Sequence, residues 1–339
     1  MTTPTGQISF NQIQTEFGPT PASQHNLGAY RVNQTVGDRN WLLDDGVPTP
    51  GNSISFNQLR GKTLNCVVDY PTETTRVNSG SVFDSSATVI GGFKGIPSRS
   101  NDTQTKKVYH LIRNTLGATD SASAVALRTS TWDSSTIKLQ YIVNGNGRLY
   151  GKGGVANGGA GSPAFGIDRS CEVVVESGGQ IRGGGGAGGR GGNYSFDSFN
   201  FACSGSGGNG GPGRGYELQT GSLAGNNATG TNGRCYTESQ CDNCDGSGNG
   251  SSSKGGGANG GGFGGEWGTR GCDGCNAGST GTICFNIFGI GLYCESEGIG
   301  SGTSGGAAGA AIIRVDGTSV SLTNNGTISG STTAVGSFV

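Results

Sequence analysis

Gly183-Gly184-Gly185-Gly186-Ala187-Gly188-Gly189-Arg190-Gly191-Gly192 is the stretch on which the fold turns. Glycine occupies every third position there, at 183, 186, 189 and 192. The same interval returns at Gly207, Gly210 and Gly213, and again at Gly262, Gly265, Gly268, Gly271 and Gly274. A period of three matches a left-handed extended helix with three residues per turn, the polyproline II geometry. Proline does not impose it, because the whole chain has only 9. Most of the 70 glycines fall between Gly145 and Gly309, too many for turns alone. A glycine edge lets neighbouring backbones approach and hydrogen-bond. The expected product is a bundle of polyglycine II helices with loops between them.

Composition narrows the classes. The chain has 339 residues, 32 % hydrophobic and 13 % charged. That is poor in apolar residues for an enzyme and poor in charge for a disordered tail. A net charge of −1 offers no electrostatic footprint for nucleic acid or an anionic membrane. No apolar run reaches the length of a membrane span. The start, Met1 to Phe10, has neither the basic nor the apolar region of a signal peptide, so none is expected.

Working outward, three regions emerge. Residues 1–63 contain a repeat: Ile8-Ser9-Phe10-Asn11-Gln12 returns as Ile54-Ser55-Phe56-Asn57-Gln58. Ser9 with Gln12, and Ser55 with Gln58, have capping-box spacing, and Ile8/Ile13 and Ile54/Leu59 fit hydrophobic staples. Two short helices are predicted, near 10–17 and 56–60. Residues 64–143 hold β-rich runs at 64–70, 81–83, 88–90, 107–112 and 136–143, which predict a small antiparallel sandwich. Residues 144–339 form the glycine-rich body, with insertions at 193–201, 216–249 and 280–297 and closing strands in 310–316 and 320–328. The fold class expected is therefore mainly β, with short N-terminal helices, the sandwich, the glycine bundle and the closing strands. The long regular coils of β-branched residues that signal a parallel β-helix are not seen.

Ten cysteines sit at 66, 171, 203, 235, 241, 244, 272, 275, 284 and 294. Cys235, Cys241, Cys244, Cys272, Cys275, Cys284 and Cys294 cluster near the end of the body and are disulfide or metal candidates. Cys241, Cys244, Cys272 and Cys275 form two CxxC pairs that could hold zinc, although the gap between them is long for such a site. Disulfides are the leading reading, since loops without an apolar core gain most from staples. No cofactor is otherwise expected. The glycine strings lack the strand, helix and acidic residue of a dinucleotide site. Two histidines, His25 and His110, leave no plausible Ser/His/Asp set. Glu172, Glu176 and Asp197 read as a solvated face, so no catalytic residue is predicted.

Several segments, in order, resemble tail-fibre and tail-tip proteins of tailed bacteriophages, notably those of cyanophages and other marine phages. They are the Ile-Ser-Phe repeats, Leu64–Tyr70, Val89–Lys94, Ala126–Asp133, Gly147–Gly154, Gly178–Gly192 and Gly305–Gly330. The body is also similar to the adhesins at the tips of T-even-like long tail fibres. The resemblance implies a virion protein assembled in the host cytoplasm and not an enzyme. It implies attachment to other tail or baseplate proteins through Ile8, Phe10, Ile13, Phe17, Ile54, Phe56 and Leu59, and a homotrimer. It also implies recognition of a glycan or outer-membrane protein by loops on the glycine scaffold. Aromatic rings give contact area at low entropic cost. The candidates for contact are Tyr194, Phe196, Phe199, Phe201, Tyr236, Phe263, Trp267, Phe285, Phe288 and Tyr293. The alternatives are a structural tail component without adhesion, and a glycan depolymerase.

Overall fold

The computed structural model describes residues 4–17, 33–36, 39–42, 51–61, 66–78, 87–91, 107–130, 138–198, 201–206, 208–225, 229–231, 262–274, 283–286, 292–295, 298–299 and 301–339. Of the β-rich runs, 81–83 lies outside the described residues, and those at 64–70, 107–112 and 136–143 supply strands that pair in parallel. Cys66–Tyr70, Lys107–Ile112, Lys138–Val143, Cys171–Val175 and Val320–Asn324 stack side by side in one sheet. A second sheet stacks Thr74–Thr75, Thr115–Gly117, Arg148–Tyr150, Gln180–Arg182 and Thr327–Ser329. A third stacks Val77–Asn78, Leu127–Arg128, Phe165–Ile167, Ile312–Arg314 and Ala334–Val335. The chain visits the three sheets in turn, so it winds into a three-sided parallel coil running from Cys66 to Val335.

This corrects two expectations. The described strands of 64–143 build a parallel sheet rather than an antiparallel sandwich; among the described residues of that region only Thr88–Gly91 pairs antiparallel, against Cys66–Tyr70. A parallel coil is present although no long regular runs announce it. Alternation identifies a strand but not its neighbour. The second and third sides of each turn are only two or three residues long, so they resemble turns. The closing segments do form strands, and Val320–Asn324 and Thr327–Ser329 lie in different sheets.

A corner motif makes the turns of the coil. Asn144 Oδ1 accepts from Asn146 N at 3.0 Å and Gly147 N at 2.9 Å, and Asn324 Oδ1 accepts from Gly326 N at 3.0 Å. Asparagine satisfies backbone donors where the chain bends. Just beyond the corner, Leu116, Leu149 and Ile181 align in register, and all are fully buried. On the first side, Val68, His110, Tyr141 and Val173 align in the same way, also fully buried. The imidazole of His110 stacks on Tyr141 at 4.4 Å, and Tyr141 meets Phe165 edge-on at 5.0 Å. These columns, with Val77, Leu127 and Ile312, fill the coil as one core.

Near the N-terminus the two copies of the repeat differ in helix type. An α-helix spans Phe10–Phe17, and Phe56–Leu59 is a 3-10 turn rather than an α-helix. Ser9 N donates to Gln12 Oε1 at 2.8 Å, and Ser55 N donates to Gln58 Oε1 at 2.6 Å. Phe10 and Phe56 meet edge-on at 5.8 Å, so the two copies pack on each other.

Candidate functional site

The glycine body leaves the coil at one corner. Between the second and third sheets the chain inserts Arg76 alone in the first turn, 118–126 in the second, 151–164 in the third, 183–311 in the fourth and 330–333 in the fifth. The body is thus an outgrowth of the fourth turn, entered from Arg182 and left at Ile312.

Residues 183–191 run through its middle. Gly185, Gly188 and Gly191 donate to the carbonyls of Arg214, Gly211 and Gly208 at 2.7–2.9 Å. Gly186 and Gly189 donate to Thr269 and Cys272. The carbonyls of Gly184, Ala187 and Arg190 accept from Gly309, Gly306 and Thr303. Each row advances by three residues and serves a different neighbouring segment. A Cβ on Gly184 would run into the Lys152 carbonyl oxygen, and one on Gly188 into that of Gly262. Close backbone approach, rather than left-handed backbone, therefore demands glycine at these positions.

The insertions hang from these segments. Tyr194–Ser198 and Phe201–Ser206 form an antiparallel pair, flanked by Gly298–Ile299 and Thr229–Thr231. Tyr194 lies opposite Gly205 on one side and Ile299 on the other, Phe196 opposite Cys203, and Phe201 opposite Ser198. Ile283–Asn286 pairs with Leu292–Glu295, which sets Phe285 opposite Tyr293 and Cys284 opposite Cys294. Phe263 is half-buried within a glycine segment, where its carbonyl accepts from Cys272 N at 2.8 Å. Phe199, Tyr236 and Phe288 lie outside the described residues.

Trp267 is placed differently, at the neck where the body folds back over the second sheet. Its ring lies 4.6 Å from Tyr150, and the Arg182 guanidinium lies over it at 5.8 Å. Beside it, Arg214 makes a bidentate pair with Glu266, Nε to Oε2 at 3.0 Å and Nη2 to Oε1 at 2.8 Å. That hydrogen-bonded pair holds the Glu266 carboxyl below its usual range, burial opposes the shift, and the charges of Arg214 and Arg182 add to it. Tyr216 covers Gly117, where a Cβ would strike its ring, and donates to Glu73 Oε1 at 2.8 Å. Burial, the bond to Glu73 and nearby carboxylates push its phenol up to about 12. Sequence reasoning missed Tyr150, Arg182, Arg214, Tyr216 and Glu266. A signal was present: Arg148-Leu149-Tyr150, Gln180-Ile181-Arg182 and Thr327-Ile328-Ser329 each follow an Asn/Gly or Gly/Gly corner. Read as a repeat, they put Tyr150, Arg182 and Ser329 on the outer face.

Of the attachment candidates, Ile8, Ile13 and Leu59 are buried, Ile54 is half-buried, and Phe10 and Phe56 are each 37 % exposed. Phe17 ends the helix. Among the cysteines, Cys272 is disulfide-bonded, while Cys235, Cys241, Cys244 and Cys275 lie outside the described residues. Cys171 is a free thiol buried in the coil, pushed up to about 12 by burial and by the neighbouring Glu172 charge. The buried acids of the coil are paired rather than convergent: Asp69 with Arg113 and Asp168 with Arg128. No group of three or more His, Cys, Asp or Glu side chains able to hold a metal occurs among the described residues.

The crystal structure of the gp37-gp38 adhesin tip complex of the bacteriophage S16 long tail fiber is similar at 16% identity, over 85% of this chain and 90% of that chain, with a TM-score of 0.34. Likeness at that level carries no argument about this fold. No curated protein matches the chain. The family "Phage tail fibre adhesin Gp38" matches residues 85–333, which take in the second to fourth turns of the coil, two sides of the fifth and the whole glycine body. By that match the chain belongs to the Gp38 family of phage tail fibre adhesins.

Proposed function

We propose that this virion protein recognises a receptor on the host surface through insertions held on a polyglycine II scaffold, and that its N-terminal repeat attaches it to the tail. The observation that carries the reading is the corner insertion of the body within the adhesin match. A rigid coil supports a bundle held by backbone hydrogen bonds at three-residue intervals, and the insertions depart from that bundle. Such a scaffold leaves the inserted sequences free to vary, because the hydrogen bonds use no side chain. The contact residues are Tyr194, Phe196, Phe199, Phe201, Tyr236, Phe263, Phe285, Phe288 and Tyr293. Trp267 anchors the body to the coil. Attachment uses the exposed rings of Phe10 and Phe56, held on the buried Ile8, Ile13 and Leu59, with Phe17 and Ile54 beside them. The homotrimer belongs to the same proposal, and light scattering checks it, since one chain already completes the three-sided coil.

The test compares the labelled full chain with a variant in which 193–201, 232–250 and 280–297 are replaced by short Gly-Ser links. The glycine segments at 183–192, 208–215 and 262–274 stay in place. The expected result is saturable binding to host cells by the intact chain, in competition with phage adsorption, and none by the variant. Equal binding by both places recognition elsewhere. No binding by folded intact chain leaves a structural tail component as the better account.

A further inference from the structure

Arg182 is the last residue of its strand, where the coil gives way to the body. Its Nε is buried without a hydrogen-bond partner, and its guanidinium contacts the Trp267 face. Other arginines around the coil and body are engaged: Arg214 by Glu266, Arg113 by Asp69, Arg128 by Asp168 and Arg76 by Asp120. Glu266 is close enough to feel the Arg182 charge, but Arg214 takes both of its oxygens. Arg182 and Arg214 thus share the one Glu266 carboxylate beside Trp267.

Donors surround the uncommitted cation. Gln180 lies two residues before Arg182 on the same outer face, and its Oε1 accepts from the Tyr150 hydroxyl at 2.6 Å, so its remaining hydrogen-bonding capacity is that of an amide donor. Ser329 is the cross-strand neighbour of Arg182, and Thr327 that of Gln180. Gln180, Arg182, Trp267 and Ser329 are all half-buried, so solvent and ligand reach them. A planar guanidinium fixed against an indole is preorganised for bidentate oxyanions, and its desolvated edge strengthens the bond.

We infer that Arg182, with Gln180, Ser329 and Trp267, is a subsite for an oxyanion, the carboxylate or phosphate of an acidic host-surface glycan. This rests on the adhesin reading for its biological ligand, while the chemistry stands on the residues themselves. The Arg182 Nη groups grip two oxygens, the Gln180 amide and the Ser329 hydroxyl meet a third oxygen or a sugar hydroxyl, and the indole edge covers the sugar ring.

The test titrates the full chain with glucuronate, glucose 1-phosphate, inorganic phosphate and glucose, following tryptophan fluorescence and heat. Saturable binding is expected for at least one anion and not for glucose, weakening as salt rises. Glucuronate alone points to a uronic acid, the two phosphates alone to a phosphorylated glycan. Arg182→Gln should weaken binding at least tenfold, Arg182→Lys less, and Lys138→Gln, on the first sheet, not at all. Trp267→Phe should abolish the optical signal. Melting temperature shows whether each variant is folded. Absence of saturation by every anion, or unchanged affinity in folded Arg182→Gln and Arg182→Lys, overturns the site. Cell binding without anion binding removes the subsite and keeps the adhesin; anion binding without cell binding does the reverse.

Discussion

At the residue scale, glycine and histidine carry the sharpest consequences. Gly184 is buried with the Lys152 carbonyl in the path of any Cβ, whereas Gly6 has nothing within 4 Å of that position. Gly184→Ala must push two backbones apart, so several kcal/mol of destabilisation are expected, roughly 3 or more. Limited proteolysis should then cut within 183–311 while Gly6→Ala stays as resistant as the parent. His110 is fully buried between Tyr70 and Tyr141, and burial lowers its pKa to about 3. A depressed histidine means the unfolded chain binds the extra proton first. Its contribution is complete above the unfolded value of 6.5 and is lost as pH falls towards 3. Between pH 6.5 and 5, where carboxylates hardly titrate, stability should drop by roughly 1–2 kcal/mol. Denaturant melts of His110→Phe, which keeps a ring on Tyr141, should show a shallower slope over that window.

At the element scale, the two ends of the coil differ. In the first turn Val68, Tyr70 and Val77 are at most 1% exposed, with Thr88–Gly91 pairing along that edge. In the last turn Leu322 is 36% exposed, although it stands in register with the buried Val173. No charged residue occurs from Gly317 to Val339, so the edge has none of the charged side chains that usually blunt one. Leu149→Ala, inside the second sheet, should cost about 2–5 kcal/mol, and Leu322→Ala less than about 1. Urea midpoints measure both. Comparable costs would mean that the last turn is as well packed as the interior. The strands themselves were legible in the sequence, because 107–112 and 138–143 carry dense β-branched and aromatic residues. Their parallel neighbours were not, because Thr74–Thr75 and Val77–Asn78 are too short to show a period.

At the scale of the whole molecule, the body is held by backbone bonds to the coil and by pegs such as Trp267 and Tyr216. Among its described residues it has little apolar core of its own, so the Cys272 disulfide should matter more here than in the coil. Dithiothreitol is expected to lower the melting of the body by the equivalent of about 2–5 kcal/mol. The coil transition should stay in place, and EDTA should leave both unchanged. A shift with EDTA would instead favour zinc at Cys241, Cys244, Cys272 and Cys275 over the Cys272 disulfide. Hydrogen exchange, resolved by segment, separates the two regions. Cys171, buried and raised to about 12, should resist thiol reagents until the coil unfolds.

By itself the sequence determined what is local and periodic. The three-residue glycine interval requires backbone-to-backbone packing, because only glycine lets chains approach that closely. The Ser/Gln repeats set the two capping boxes, because their partners are three residues apart. The tertiary structure alone decided what depends on distant residues. Which strands neighbour each other, and in which direction, rests on side chains far apart in sequence filling one core. The position of the body at a single corner follows from the coil turn that holds Gln180–Arg182 being completed by Ile312–Arg314 in the next sheet, across the whole insertion. The neck cluster is the clearest case: Arg182, Arg214 and Trp267 share no motif, and only the return of the glycine segments over the second sheet brings them together.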